Sequence, residues 1–335
     1  MYLIAIAVGL IMLLILWSRI ELKFLTTTEY KISSKKLGSD FHDVKFVVLS
    51  DLHNHSLGKN NKRLIEKIDS ISPDFILIAG DMVTKRQFCV PSNAFTLLKI
   101  LSNKYKIYYG YGNHEQYFEQ LLDNLQESNL KEAEIIRRKN LFSTWVEYKK
   151  RLKSFGIEFL DNNQISLTIG DINRNANRNQ NRKNMTSELL VCGLSLDMAY
   201  YVRPNHKGQA SNDNSTVQKP QSVQEFLKAT FGKKAKDIFH ILIAHNPIYF
   251  EDYVAWGADL ILSGHVHGGL VRLPFLGGLI SPSVKLFPKY DAGRFTKDGK
   301  TMIISRGLGT HSNMPRIFNP PELIVVHISH EAEEA

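Results

Sequence analysis

The sequence predicts an α/β fold built on a largely parallel sheet that is covered on both faces. Two observations carry this prediction. From Val44 onward, apolar runs of strand length alternate with segments that have the 3.6-residue apolar spacing of helices. The apolar runs are nearly continuous, which is typical of parallel strands buried on both sides. Several runs end in polar, glycine-containing segments, at the sheet edge where open α/β folds bind ligands.

The segment LILSGHVHGGLVRL, Leu260–Leu273, organises the rest of the chain. An apolar strand there ends in Gly264, and His265 and His267 follow with one residue between them. At the carboxyl edge of a sheet, two such imidazoles can serve two metal ions, or they can be hydrogen-bonded turn residues. This segment alone supports both interpretations equally.

Length and composition predict one large globular domain behind an anchor, or two small domains. The chain has 335 residues, 43% of them hydrophobic, and a formal net charge of +9. Its positive charge is dispersed and no nucleic-acid motif accompanies it, so no specific nucleic acid is expected as a partner. An anionic membrane surface or a phosphorylated substrate accounts for the charge equally well. Cys89 and Cys192 form no metal or disulfide motif, and we predict that both are buried small hydrophobes.

An apolar run at the N-terminus, Met1–Trp17, lies at the short end of membrane-spanning length. No Lys or Arg precedes it and no small-residue cleavage site follows, which favours a retained transmembrane anchor over residues 1–20. The basic residues that follow it are Arg19, Lys23, Lys31, Lys35 and Lys36. Their position predicts a single-pass protein of the cell membrane with its domain in the cytoplasm.

After the anchor, the first half of the chain predicts alternating strands and helices. Residues 21–42 predict a tether, and an edge strand around Glu29–Ile32 is the alternative. The domain follows over residues 43–330. Its first predicted elements are a strand at Val44–Ser50, a helix at Asn60–Ile71, a strand in DFILIAGDMV, a helix at Ala94–Leu101 and a strand in KIYYGYGNHE that ends at Gly112.

The second half contains three insertions between further strands. Residues 117–151 carry two apolar helical stripes, which predict a helical hairpin beside the site or two ordinary surface helices. Residues 171–187 are polar and predict a flexible loop. Residues 203–222 are a second polar stretch of the same kind, and a loop of this length is either functional or disordered. The remaining predicted elements are strands at Ile157–Ile169, Leu189–Leu194 and Phe239–Ala244, a helix at Val223–Phe231, closing strands in TMIISRGLG and PELIVVHIS, and a frayed tail at Glu331–Ala335.

Five predicted strands end in the same kind of polar chemistry. The strand ends are Asp51-Leu52-His53, Gly80-Asp81, Gly112-Asn113-His114, His245 and His265-Val266-His267. Carboxylate, imidazole and amide ligands without a thiolate suit a pair of borderline divalent ions such as Mn, Fe or Zn. Each group also has an ordinary explanation as a helix cap, a turn residue or a core histidine. It is improbable that five separate strand ends all carry such residues for unrelated structural reasons. A shared metal site is therefore the preferred interpretation.

The order of these blocks resembles the calcineurin-like metallophosphoesterases. D-x-H, G-D, G-N-H-[DE], a lone His after an apolar strand and G-H-x-H all stand here in that order, and the match covers Lys45 to His327. GHVHGGLVRLP, SRGLG and PRIFNPPEL resemble a membrane-associated bacterial subgroup. The resemblance implies a four-layer α/β/β/α sandwich, the metallo-dependent phosphatase fold, preceded here by one transmembrane helix.

For the site, the resemblance implies a centre of two divalent ions. One ion would be held by Asp51, His53 and His267, and the other by Asn113, His245 and His265. Asp81 would bridge the two ions. His114 would be catalytic and not a metal ligand, because it would contact the phosphoryl oxygens or protonate the leaving group.

Three further residues are singled out by their place in the blocks. Glu115 stands where many relatives have Asp and keeps the carboxylate, so we expect the difference to matter little. His55 is expected in a surface turn, with substrate contact as the alternative. Arg306 is expected either to contact a phosphate or to pair with a carboxylate.

The predicted function is that of a membrane-anchored phosphohydrolase in which two metals activate water for in-line attack. A phosphodiesterase acting on a phosphorylated small-molecule or lipid-linked substrate is preferred. The alternatives are a pyrophosphohydrolase of a lipid- or nucleotide-linked diphosphate and a non-catalytic membrane scaffold that binds phosphorylated ligands. Intact ligand blocks favour the enzyme over the scaffold. The insertions near the site argue against a protein phosphatase, which needs an open groove.

Overall fold

The computed structural model describes residues 2–85, 88–90, 92–123, 125, 130–172, 187–201, 222–273, 276–280, 286–310 and 315–331. Most of the two polar loops predicted over 171–187 and 203–222 lies outside the described residues. The same holds for residues 332–335 of the predicted frayed tail.

Helices and strands alternate through most of the described chain. The helices are α1 (Tyr2–Glu21), α2 (Lys62–Ile71), α3 (Asn93–Ser102), α4 (Asn113–Glu119), α5 (Glu132–Ser154), α6 (Ile169–Ile172), α7 (Val223–Phe231) and α8 (Phe250–Trp256). The strands are β1 (Thr26–Ser34), β2 (Val44–Leu49), β3 (Phe75–Ala79), β4 (Lys106–Gly110), β5 (Glu158–Leu160), β6 (Asn163–Thr168), β7 (Glu188–Leu194), β8 (Phe239–Ala244), β9 (Leu260–Ser263), β10 (Val271–Leu273), β11 (Gly277–Ile280), β12 (Gly293–Lys297), β13 (Lys300–Ile304) and β14 (Glu322–His330).

Two mixed six-stranded sheets form the body of the molecule. Their strand orders are β1-β14-β2-β3-β4-β5 and β12-β13-β9-β8-β7-β6. Neighbouring strands are parallel except β14 with β2 in the first sheet, and β12 with β13 and β6 with β7 in the second. The α/β fold is therefore confirmed, although both sheets are mixed where the apolar runs predicted a parallel one.

Three apolar clusters show how these layers pack. The first cluster joins the facing sides of the two sheets and includes Phe46 and Ile241. The second lies between the first sheet and the helices α2, α3 and α5, and it includes Leu98 and Trp145. The third lies between the second sheet and the helices α7 and α8, and Tyr253 belongs to it. Central strands are thus buried on both faces, which accounts for their continuous apolar sequences.

The predicted strand Ile157–Ile169 is wrong as a single element. The chain forms β5, turns at Asn162 with a φ of 48°, and continues as β6. β5 pairs with β4 in the first sheet, whereas β6 pairs with β7 in the second. The chain crosses between the sheets at this turn, and the apolar pattern is the same on both sides of it.

The predicted strand ending at Gly112 is also corrected. β4 ends at Gly110, and α4 begins at Asn113. The helix starts there because the Glu115 side chain accepts a hydrogen bond from the Gly112 N–H at 3.0 Å and so satisfies the helix entrance. The predicted helical hairpin is a short α4, a 3-10 turn at Gln120–Leu122 and the long α5, and Leu125 lies outside the helices.

The N-terminal segment contributes both a helix and a strand. β1 pairs in parallel with β14 over its whole length, so the segment predicted as a tether contains an edge strand of the first sheet. α1 carries an 18-residue window, Ile4–Glu21, with a mean hydropathy of 2.1. By length and composition α1 is able to cross a membrane, a property that anchors and signal sequences share.

The two cysteines differ in their environments. Cys192 is buried in β7, as predicted, and burial raises the pKa of its thiol to about 12. Cys89 is exposed, so its predicted burial is wrong. It lies in the loop between β3 and α3, where no strand or helix face places it in the core.

Candidate metal centre

Strand ends from both sheets bring all eight predicted site residues into one cluster. In the first sheet, β2, β3 and β4 run parallel, and in the second sheet β8 and β9 do so. Their carboxyl ends meet at one edge of the molecule, as the geometry of parallel strands requires. The residues that follow these strands are Asp51 and His53 after β2, Asp81 after β3, Asn113 and His114 after β4, His245 after β8, and His265 and His267 after β9.

One group of ligand atoms is formed by Asp51, His53 and His267. The Nε2 atoms of the two histidines lie 3.0 Å apart. The Asp51 Oδ1 atom lies 3.3 Å from Nε2 of His267 and 3.8 Å from Nε2 of His53. Donor atoms that share one ion through bonds of about 2.1 Å are about 3.0–3.4 Å apart, and two of these three distances lie in that range. This group therefore fits one divalent cation, and all three side chains are buried.

The residues predicted for the second ion, His245, His265 and Asn113, also lie near one another, and the ring centroids of His245 and His265 are 5.4 Å apart. The Nδ1–H of His245 donates to the Ala79 carbonyl at 2.6 Å, so that Nε2 is the ring atom directed toward the Asp81 carboxylate. Metal-binding histidines typically have such a second hydrogen bond, since it fixes the tautomer. Nδ1 of His265 and Oδ1 of Asn113 lie 2.8 Å apart. These donor atoms suit a second divalent cation.

Asp81 lies between the two groups. Its Oδ2 atom is 3.3 Å from Nε2 of His245 and 3.7 Å from Nε2 of His53. Its Oδ1 atom accepts the backbone N–H of His114 at 2.8 Å, which fixes the carboxylate plane. A carboxylate in this position is able to reach both sides of the cluster.

The buried carboxylates make the cluster strongly attractive to cations. Burial acts to raise the pKa of Asp81, but His245 and His114 outweigh it and hold that pKa well below its ordinary value. Burial likewise acts to lower the pKa of His245, but Asp81 and Asp51 raise it to about 10. A positive charge is thus favoured at the centre. Two carboxylates, imidazoles with directed lone pairs and an amide oxygen fit divalent ions of the Mn, Fe and Zn type.

The backbone is strained where these residues lie. Five of the predicted ligands have φ between 47° and 71°, namely Asp51, His53, Asp81, His265 and His267. Each residue other than glycine in this left-handed region costs on the order of 1 kcal/mol or more. Such strain persists only where the surroundings determine the conformation, and it is typical of functional sites. Residue spacing alone does not reveal it.

Two motif glycines are required by close approach. A Cβ atom on Gly264 would lie 2.2 Å from Oδ2 of Asp51, and one on Gly112 would lie 2.2 Å from Oδ1 of Asp81. Neither carboxylate is able to move away, because both are fully buried and held by hydrogen bonds. The glycines in G-H-x-H and G-N-H therefore make room for the carboxylates of the other blocks.

His114 is held in a tautomer that opposes metal binding. Its Nδ1 atom accepts the backbone N–H of Lys85 at 2.9 Å, so the neutral ring carries its proton on Nε2. That Nε2 atom lies 3.9 Å from Oδ2 of Asp81. A nitrogen that carries a proton has no lone pair for a metal, but it is a good hydrogen-bond donor. The geometry thus supports a donor role beside the ions.

Glu115 has a larger role than its conservative difference from Asp predicts. Its carboxylate is fully buried and accepts the backbone N–H groups of Asp81 at 2.8 Å, Met82 at 2.9 Å and Gly112 at 3.0 Å. It also accepts the hydroxyl of Tyr109 at 2.7 Å. Glu115 therefore joins the loop that carries Asp81 to the loop that carries Asn113.

We expect Glu115→Ala to lower the free energy of unfolding by at least about 3 kcal/mol, because it leaves several buried donors unsatisfied at about 1–3 kcal/mol each. Thermal or denaturant unfolding of the metal-free protein measures the change. Glu115→Gln is the volume-matched control. Its side chain fills the same space, but its NH₂ group is a donor and is unable to accept the backbone N–H groups that one carboxylate oxygen accepts, so we expect it to be destabilised as well. A Gln variant as stable as the wild type would show that packing, and not the carboxylate, matters.

Other residues near the cluster divide into predicted and missed ones. Arg306 pairs with the Glu322 carboxylate at 3.1 Å, which is the second of its two predicted roles. His55 is half-buried and faces the backbone of Leu22, at the end of α1. Arg316 and Asn319 were not predicted, although both lie in the segment PRIFNPPEL that supports the subgroup resemblance.

Arg316 and Asn319 hold the loops that carry the ligands. Nδ2 of Asn319 donates to the carbonyls of His267 and Gly269, each at 2.7 Å. Nη1 of the buried Arg316 guanidinium donates to the Gly309 carbonyl at 2.6 Å, and its Nε donates to the Asn319 carbonyl at 2.7 Å. The sequence does not predict this role, because both residues lie far from the five blocks along the chain. Their contacts with the ligand-bearing loops are seen only in the structure.

Comparison with known proteins gives distant relatives over nearly the whole chain. The chain is 23% identical over 309 residues to the uncharacterized metallophosphoesterase YkuE of Bacillus subtilis, covering 91% of this chain and 86% of that protein. It is 25% identical over 312 residues to the uncharacterized metallophosphoesterase Cj0846 of Campylobacter jejuni, covering 91% of this chain and 64% of that protein. It is 24% identical over 340 residues to the UDP-2,3-diacylglucosamine pyrophosphatase LpxG of Chlamydia trachomatis, covering 94% of this chain and 92% of that protein.

The family model of the calcineurin-like phosphoesterases matches residues 44–269, about two thirds of the chain. This range contains every residue of the two ligand groups, together with Asp81 and His114. The buried Asp and His clusters agree with the two-metal site typical of the family. The chain therefore belongs to the calcineurin-like phosphoesterases, metal-dependent hydrolases that act on phosphoester bonds.

Proposed function

We propose that this protein is a membrane-anchored phosphodiesterase with a centre of two divalent ions. The observation that carries the proposal is the Asp81 carboxylate, which lies between two separate groups of donor atoms. One ion is assigned to Asp51, His53 and His267, and the other to Asn113, His245 and His265. Asp81 bridges them.

The chemistry of the site follows from these assignments. Bound divalent ions supply Lewis-acid polarisation of the phosphate and activation of water near neutral pH. Asp51 and Asp81 provide the buried negative charge that retains the ions. His114, with its proton held on Nε2, donates to a phosphoryl oxygen or to the leaving group. The Ala79 carbonyl accepts the Nδ1–H of His245, and the Lys85 N–H donates to Nδ1 of His114, so that each hydrogen bond fixes the tautomer of one ring.

A metal-dependence experiment tests this function. The full chain in detergent is stripped with a chelator and then titrated with Mn²⁺, Fe²⁺ or Zn²⁺ against a panel of esters. We expect activity to return at two ions per chain, with bis(p-nitrophenyl) phosphate hydrolysed faster than p-nitrophenyl phosphate. Metal binding without turnover of any ester would instead support the non-catalytic scaffold.

A pyrophosphohydrolase is the second candidate. The observation that favours it is the similarity to LpxG, whose name describes it as a pyrophosphatase and whose length this chain matches over 92%. The same panel separates the two candidates when it includes a nucleoside diphosphate linked to an acylated sugar. Faster cleavage of that diphosphate than of any diester would favour the second candidate.

Contacts at the end of α1 support its retention as an anchor. The helix is exposed along most of its length, but Ser18 and Glu21 in its last turns are only 4% and 5% exposed. The Ser18 hydroxyl accepts the backbone N–H of Arg316 at 2.8 Å. A signal sequence that is removed needs no such contacts with the mature domain, whereas an anchor that holds the domain at a membrane does.

We expect the domain to lie in the cytoplasm, because Arg19 and Lys23 follow the apolar helix and resist translocation. Protease added to intact cells should then leave the domain uncut, whereas protease added to opened cells should digest it. A periplasmic or secreted reporter protein serves as the control for access. Digestion of the domain in intact cells would contradict this orientation.

A further inference from the structure

We propose that the face formed by the end of α1, residues 315–319, the paired strands β10 and β11 with Leu276, and Leu286 and Phe287 lies against an anionic lipid bilayer, so that the metal centre takes phosphate esters from the membrane surface. We call this face the membrane collar. The inference about substrates rests on the phosphoesterase function proposed above. The docking of the collar on lipid does not.

The first argument is the place where the apolar helix joins the domain. Besides the bond between Ser18 and the Arg316 backbone, the rings of Trp17 and Phe318 lie 6.4 Å apart. Nη1 of Arg63 donates to the carbonyl of Lys23 just beyond the helix, at 3.0 Å. The point at which the chain leaves a membrane is therefore fixed on the domain surface.

That point lies close to the metal centre. Arg316, which binds the end of α1, also binds the carbonyl of Gly309, and the N–H of Gly309 donates to the carbonyl of Asp51 at 2.8 Å. Asn319 binds the carbonyl of His267. Two chains of hydrogen bonds therefore lead from the helix end to predicted ligands. One passes through Arg316 and Gly309 to Asp51, and the other passes through Arg316 and Asn319 to His267. The edge of the sheets that carries the cluster is the edge that faces the membrane.

The second argument is the distribution of exposed apolar side chains. Among the described residues outside α1, the large exposed hydrophobics are Phe24, Ile136, Val146, Ile248, Leu276, Leu286, Phe287 and Phe318. Five of these eight lie at the collar. Phe24 follows α1 directly, and the other four are Leu276, Leu286, Phe287 and Phe318. Phe318, Leu276, Leu286 and Phe287 are each more than half exposed, at 55–66%. Water-exposed clusters of this kind mark interaction surfaces.

Backbone pairing connects these side chains to one another. β10 pairs with β11, Val271 forms a bridge with Ile317, and Ile280 forms a bridge with Leu286. The helix end, Phe318, the hairpin and Phe287 therefore form a continuous structure. β10 begins four residues after His267, so the collar is a direct extension of the loop that carries two of the ligands.

A cavity of about 470 Å³ beside the hairpin shows mixed chemistry. Arg272 and Lys289 line it together with Leu273, Leu276 and Phe287. None of the predicted metal ligands lines it. Nη1 of Arg272 also donates to the carbonyl of Gly268, next to His267. Asp291 also lines the cavity and pairs with Arg272 at 3.0 Å, so charged groups of both signs lie beside apolar side chains there. Such a combination suits the interfacial region of a bilayer, where charged heads stay near water and apolar stems enter the lipid.

A lipid bilayer is the occupant that fits these observations best. The collar continues from a helix whose exposed side chains are almost all apolar, and only a bilayer covers both at once. Arg19 and Lys23 are exposed at the junction, where anionic headgroups attract basic side chains at about 1 kcal/mol each. A second copy or a protein partner would have to cover the collar beside the membrane.

Site-directed spin labelling of the full chain tests the docking. In a Cys89→Ser background, Phe287→Cys and Phe318→Cys carry the nitroxide, with Ile136→Cys on α5 as a control of similar exposure. The buried Cys192 stays unlabelled. In vesicles of phosphatidylcholine and phosphatidylglycerol, we expect collisions with O₂ to dominate at 287 and 318, and collisions with a water-soluble nickel complex to dominate at 136. Nickel access at 287 and 318 equal to that at 136 would overturn the proposal. Low access of both reagents would overturn it too, because that result indicates protein cover.

A second measurement tests the source of the substrate. The double variant Leu276→Ser/Phe287→Ser is compared with Ile136→Ser/Val146→Ser on a phosphodiester lipid in vesicles and on bis(p-nitrophenyl) phosphate in solution. We expect the ratio of vesicle to solution turnover to fall about tenfold or more in the collar variant, since two apolar side chains leave the lipid, and to stay constant in the control. An unchanged ratio in the collar variant would contradict the proposal. Absence of hydrolysis of every ester by the wild type would instead contradict the proposed enzymatic function, whatever the spin labels show.

Discussion

Asp81→Asn is expected to remove at least one ion from the centre and to lower hydrolysis by about 100-fold or more. Changes even to the partners of metal ligands cost about 10- to 100-fold in affinity or activity, so the loss of a bridging carboxylate should cost at least as much. The Oδ2 atom of Asp81 faces His53 on one side and His245 on the other. Asn keeps the shape but removes the charge that both sides share. Metal analysis of the purified variant together with its turnover measures both effects.

Asp69→Asn is the matched control for this change. Asp69 lies on α2 and pairs with Lys104 at 2.7 Å, away from the cluster. We expect this surface ion pair to contribute at most about 1 kcal/mol and the variant to keep both ions. An Asp81→Asn protein with two ions per chain and near wild-type turnover would refute the bridging assignment.

His114→Ala is expected to retain both ions and to lose about 100- to 10,000-fold in turnover, the usual range for a general acid or base. The basis is the tautomer of His114, whose Nδ1 atom accepts the Lys85 N–H and whose Nε2 proton therefore points toward the cluster. If the proton goes to the leaving group, the loss should be smaller for an activated group such as p-nitrophenolate than for an alkoxide. Turnover of both ester types and metal content are measured on the same preparation.

His240→Ala provides the comparison for removal of a buried histidine. His240 is 3% exposed and lies in β8, where its Nδ1 atom is 2.8 Å from the carbonyl of Ile238, at the opposite end of the strand from His245. Its replacement should leave metal content and turnover per folded molecule close to those of the wild type. Loss of metal from His114→Ala, or unchanged turnover on an unactivated diester, would show that His114 is not the donor.

The sequence predicted that the eight residues lie together, because the pattern that identifies them is local. Each of the five blocks follows an apolar strand, and parallel strands carry whatever follows them to the same edge. That is why Asp51, Asp81 and His265 were identified without knowledge of the sheet order. The two-sheet arrangement came from the family resemblance, since the apolar runs of β5 and β6 look alike although these strands belong to different sheets.

The supporting residues were harder to predict because their roles depend on long-range contacts. Glu115 looks like a conservative variant in sequence, but its carboxylate joins two loops that are more than 30 residues apart. Arg316 and Asn319 lie about 50 residues beyond His267 and act through backbone carbonyls, which carry no signal in residue identity. The positive φ angles of Asp51 and Asp81 were also not predictable, because aspartate does not require a positive φ.

The same limit applies to the N-terminal helix. Its apolar composition indicated a length suitable for a membrane but not where it meets the domain. The contact between Ser18 and Arg316 places its end beside the loops of the metal centre. This contact connects the N-terminal helix with the cluster, and the residue pattern of neither segment shows the connection.

The most direct test of the account is a crystal structure of the protein grown with Mn²⁺, with anomalous difference maps that locate the ions. The account predicts two peaks, one about 2.1 Å from the donor atoms of Asp51, His53 and His267, and the other at the same distance from those of Asn113, His245 and His265. The Asp81 carboxylate should contact both peaks, and His114 should contact neither. A single peak, or a peak bound to Nε2 of His114, would contradict the account.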